Sequence, residues 1–105
     1  MNESEFSALA DAMLARIEQG LEACGADLDF ELAAGGVLEV EFSDGSKIIV
    51  NKHAVAREIW VAARSGGFHF RYDGSDWRDT RDGEPLLAKL SRVVSEQAGE
   101  PVALG

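Results

Sequence analysis

The amino-acid sequence predicts an α+β fold: a two-layer sandwich with the N- and C-terminal helices packed on one face of an antiparallel sheet of about six strands. Three observations predict it. Apolar residues recur at three- and four-residue steps only near the two chain ends. The stretch between them alternates apolar and polar residues, and Gly-Gly or Asp-Gly pairs break it at short intervals. An uninterrupted meander with one apolar face leaves both helices on that face. Residues 1–105 are expected to form one domain, because a chain of 105 residues, 46% of them hydrophobic, supports one core.

The first helix is expected over residues 3–24. Phe6, Leu9, Ala10, Met13, Ile17, Leu21 and Cys24 make one apolar stripe, and Asn2 with Glu5 has the spacing of a capping box, with Ser4 as a competing cap. Gly25 supplies the stop. In residues 27–32, Leu28, Phe30 and Leu32 point one way while Asp27, Asp29 and Glu31 point the other. Gly35-Gly36 turns the chain into residues 37–43, with Leu38, Val40 and Phe42 inward and Glu39 and Glu41 outward. Asp44-Gly45 turns it again into a third strand through Ile48 and Val50. A fourth strand buries Ile59, Val61 and Ala63 and turns Trp60 to the other side. Gly66-Gly67 leads into Phe68–Tyr72, and Asp73-Gly74 into a short strand around Trp77, read as a partly buried structural residue. Helical spacing returns over 84–97 through Leu87, Leu90, Val93 and Val94, ended by Gly99 and Pro101.

Charge separates the chain into unequal halves. Residues 1–44 hold eleven carboxylates against Arg16 alone; residues 45–105 hold eight against nine Lys or Arg. A negative field so concentrated repels nucleic acid and anionic lipid and attracts cations and basic protein surfaces. Neither is expected as a partner. Asp11, Glu18 and Glu22 share one face of the first helix, with Glu3 upstream, and such like-charge pairs cost helix stability. No lysine near them in sequence compensates, and local violations of this kind mark functional sites.

Catalytic motifs are absent from the pattern. His53 and His69 have no metal-ligand spacing with each other or with Cys24, and His69 reads as a solvent-facing structural residue. The glycine pairs lack the lysine and helix of a phosphate-binding loop, and Asp79–Asp82 does not fit a calcium loop. The lone Cys24 suits a reducing compartment, and with no membrane-length apolar run or leader pattern a cytoplasmic location is expected.

Several segments are similar to the bacterial frataxins. They are Met1-Asn2-Glu3-Ser4-Glu5-Phe6, Gly35-Gly36-Val37-Leu38, the run Phe42 to Lys52, Glu58-Ile59-Trp60-Val61-Ala62, Gly66-Gly67-Phe68-His69-Phe70, and Trp77 with Asp79 to Glu84. The likeness runs in order over essentially the whole chain. It departs at His53, where relatives more often carry glutamine, and at Ser7, where some carry histidine. The resemblance implies weak surface binding of Fe2+ and Fe3+ on an acidic ridge. It also implies association with the cysteine desulfurase and scaffold protein of iron–sulfur cluster assembly, as regulator of the desulfurase and as iron donor.

Residues and resemblance together single out Glu18, Glu22, Asp27, Asp29 and Glu31 as core iron ligands, supported by Asp11, Glu3, Glu39 and Glu41. Trp60 is the expected centre of a protein-binding face flanked by Asn51 and Lys52, because its neighbours Ile59 and Val61 are the buried set. A monomer is expected at low iron. Two other readings compete: a ferroxidase or iron-storage activity, and a pure interaction module with incidental metal affinity.

Overall fold

The computed structural model describes residues 1–105, in the order α1 (Glu3–Ala23), β1 (Leu28–Ala33), β2 (Val37–Phe42), β3 (Lys47–His53), β4 (Glu58–Ala63), β5 (Gly66–Tyr72), β6 (Trp77–Asp79) and α2 (Leu86–Ala98). All six strands join one antiparallel sheet in sequence order. The predicted meander is therefore the observed one.

α1 begins in the expected capping box. The Asn2 side chain accepts the Glu5 N–H at 2.8 Å while Glu5 accepts from the Asn2 N–H, so two orphan donors of the first turn are satisfied. α2 starts two residues later than its spacing suggested, because Pro85 fixes an extended backbone before Leu86; Gly99, left-handed at φ 72°, closes it.

Period two sets the register and the register sets the faces. Leu38, Val50, Val61 and Phe68 stand in one cross-strand row, and Val40 pairs with Ile48 beside it, all on the side that meets the helices. α1 contributes Phe6, Ala10, Met13, Leu14, Ile17 and Leu21 to this core and α2 contributes Leu86, Leu90, Val93 and Val94. Trp77 is only 2% exposed and packs edge-on against Phe6, so it is a core residue rather than the partly buried one expected. The chain end is part of the core as well. Val102 and Leu104 are buried, and the Leu104 N–H donates to Ser91 on α2 while its carbonyl lies against Gly20 on α1. A side-chain carbon at position 20 would fall 2.6 Å from that carbonyl oxygen, which explains a glycine inside a helix.

α2 also buries a charge. Lys89 reaches Asp79 and Asp82 at 2.7 Å each and Glu84 at 3.5 Å, with the Phe68 ring 5.1 Å from its ammonium. Asp79 at the end of β6 and Asp82 and Glu84 in the connection to α2 thus surround one buried cation, which fastens that connection to α2.

Candidate metal and docking surface on the open face of the sheet

With both helices on one side, every outward strand residue faces a layer with nothing over it. The register arranges these residues into three zones. Asp29 pairs with Glu41 and Glu31 with Glu39, so four carboxylates occupy the β1–β2 end. They rim a shallow depression of ≈ 120 Å³. Lys47, opposite Glu41, bonds Glu39 at 2.9 Å. That hydrogen bond, with the fields of Glu39 and Glu41, raises the lysine above its usual range.

The centre of the face is aromatic. Asn51 on β3, Trp60 on β4 and His69 on β5 are cross-strand partners in one row. The Trp60 indole is sandwiched between His53 (centroids 3.9 Å apart, planes 15° apart) and His69 (4.4 Å, 10°). The next row holds His53 and the ion pair of Glu58 with Arg71. Glu58 accepts from the Trp60 indole N–H at 2.8 Å and from the Arg71 guanidinium at 2.5 Å, with His69 Nδ1 3.8 Å away. Burial opposes the charged form of Glu58, but these bonds outweigh it and hold the carboxyl below the usual carboxylate range.

The expected site residues divide accordingly. Asp29, Glu31, Glu39 and Glu41 come together on the open face. Glu3, Asp11, Glu18 and Glu22 belong to α1 in the other layer, and Asp27 precedes β1. The expected ridge is therefore divided between α1 in one layer and the β1–β2 strip on the open face. No three Asp, Glu, His or Cys groups converge as a ready-made metal cage. An ion on the strip would keep several waters, as hard cations do on open carboxylate sites.

Lys52 requires a correction. It pairs with buried Ile59, one residue out of phase with Trp60, and so lies on the helix side. Its ammonium bonds Asp11 at 2.8 Å and Ser7 at 3.0 Å on α1, and its stem covers Gly36. Lys52 thus does not flank Trp60. It supplies the compensation for Asp11 that was missing from the local sequence. Asn51 does stand beside Trp60 as expected.

Where carboxylates do crowd, as on β1–β2, repulsion is stored that counter-ions relieve. The melting temperature at neutral pH is expected to rise between low and high ionic strength, with a larger rise for a divalent ion at matched ionic strength. A melting temperature independent of both would show the strip to be uncrowded.

The open face opposite the hydrophobic helix–sheet layer thus carries an acidic strip, an aromatic centre and a row with the Glu58–Arg71 ion pair. The model for the frataxin-like domain matches residues 1–100. The chain belongs to the frataxin-like family. The chain is 67% identical to the iron-sulfur cluster assembly protein CyaY of Dechloromonas aromatica over 99% of both chains. Its identity to the CyaY of Cupriavidus necator is 55% over 100% of this chain and 97% of that one. Its backbone matches the frataxin from Psychromonas ingrahamii with a TM-score of 0.91 at 35% identity, covering 100% of this chain and 99% of that one. A trimeric yeast frataxin complexed with ferrous matches at 0.69 and 26% identity over 91% and 87% of the two chains. No helix of the chain is long and apolar enough to cross a membrane.

Sequence reasoning missed the partners that hold Trp60. Glu58 shares the face of Trp60 two residues away on β4, and the register of β3 and β5 adds His53 and His69 on either side of the indole.

Proposed function

We propose that this chain serves iron–sulfur cluster assembly in the cytoplasm, carrying Fe2+ or Fe3+ weakly on its acidic strip and docking on a cysteine desulfurase and its scaffold protein through the Trp60 face. It regulates the desulfurase and delivers iron as a second role. Membership of the family, with CyaY relatives at 67% and 55% identity, supports the assembly role. One observation carries the mechanism: the strip of Asp29, Glu31, Glu39 and Glu41 and the Trp60 stack share one uncovered face, one strand apart. Carboxylate oxygens suit both iron states, and their exposure makes the site exchangeable, as delivery or sensing requires. The same negative field steers a basic partner surface onto the face, and the half-buried aromatic beside it supplies the anchor.

The experiment is a binding measurement with purified desulfurase. Glu39→Lys with Glu41→Lys is expected to weaken association about tenfold at low salt, the difference shrinking as salt is added. Equal affinity of variant and wild type at low salt would remove the acidic strip from the docking surface.

A further inference from the structure

Glu58 is a buried carboxylate on a face that is otherwise open to solvent. It is 6% exposed, whereas its row neighbour Arg71 is well exposed. Its two oxygens are used differently: Oε1 accepts the Trp60 indole N–H at 2.8 Å, and Oε2 accepts from Arg71. Trp60 is therefore constrained on three sides. Both ring faces are covered by imidazoles and the only polar atom of the indole is bound to Glu58. An indole has two main side-chain torsions; stacking limits its plane, but stacking alone permits the ring to turn over within the stack. The bond to Glu58 selects one of those orientations. Arg71 in turn keeps the buried acceptor charged and aimed, its guanidinium being the second donor to Glu58 beside the indole N–H.

We propose that Glu58 is the positioning residue that sets Trp60 for docking, with Arg71 as its brace. This rests on the docking role of Trp60 proposed above. A partner then meets the outer edge of a pre-oriented indole rather than a mobile ring, and the entropy of ordering it is settled before contact. Glu58 reaches the partner through Trp60 and not by its own contacts.

The test has two arms. In the free protein, Glu58→Leu is expected to shift the Trp60 indole N–H resonance and speed its exchange with solvent, while Glu58→Gln, which keeps an acceptor oxygen, restores both towards wild type. In binding to the desulfurase, Glu58→Leu is expected to weaken association about tenfold, with Glu58→Gln recovering most of it, and to have no further effect in a Trp60→Phe background that lacks the N–H. An unchanged indole resonance and exchange rate in Glu58→Leu would overturn the proposal. So would a loss of affinity that persists undiminished in the Trp60→Phe background, since Glu58 would then act on its own. Should Trp60→Ala bind as wild type does, the docking reading fails instead, and the indole exchange still decides whether Glu58 holds the ring.

Discussion

Lys89→Ala is expected to destabilise the fold by about 3–5 kcal/mol, because it strands a buried carboxylate without its cation. Asp79 is 5% exposed, and its Oδ2 has Lys89 at 2.7 Å while Oδ1 accepts the Arg81 N–H. Burial pushes the Asp79 carboxyl up, and the hydrogen bond from Lys89 and the Arg81 backbone more than reverse this. Without the lysine, the burial effect stands opposed only by one backbone bond. The loop to Glu84 loses its tie at the same time, since Asp82 and Glu84 share that ammonium. For a chain of this size each kcal/mol corresponds to about 4–8 °C of melting temperature. Urea or thermal unfolding followed by circular dichroism measures the change. A double variant, Lys89→Met with Asp79→Asn, should recover much of the loss because neither charge is left unpaired. A loss below about 1 kcal/mol for Lys89→Ala would put the network on the level of a surface ion pair.

Trp60→Ala is expected to weaken docking on the desulfurase–scaffold complex by about 2 kcal/mol or more, some thirtyfold, while leaving the fold intact. Fold and function separate here because Trp60 lies outside the 21-residue core and on the face that no helix covers. The variant also removes the spacer between His53 and His69, so the whole aromatic zone collapses rather than one side chain. Affinity by calorimetry and stability by thermal melting give the two readouts. Undiminished affinity would place the docking surface elsewhere.

Most of the fold was legible because each level of the sequence agreed with the next. Capping at Asn2, the α1 stripe, strict alternation on β1 and β2 and the glycine-bearing turns all point to one meander. The acidic strip was legible for the same reason, as Asp29, Glu31, Glu39 and Glu41 are the polar phase of two adjoining strands. Lys52 was misplaced by treating sequence neighbours as spatial neighbours. Adjacent strand residues point to opposite faces, so Asn51 beside Trp60 already required Lys52 on the helix side. Lys89 also left a signal. It stands three residues after Leu86, next to Leu90, in the stripe that runs on to Val93, Val94 and Gln97, and so on the buried face of α2. The clamp around Trp60 left half a signal: Glu58 stands two residues before Trp60 on β4 and so on its face, whereas His53 and His69 reach the indole only through the register of β3, β4 and β5.

Iron titration of the labelled protein, followed by amide chemical shifts and line broadening, tests the iron site most directly. The expected result is saturable perturbation centred on Asp29, Glu31, Glu39 and Glu41, with affinity on the order of micromolar or weaker and competition by Mn2+ or Ca2+. A secondary effect is expected at Glu18, Glu22 and Asp27. Perturbations centred away from β1 and β2, or none at millimolar iron, would contradict it.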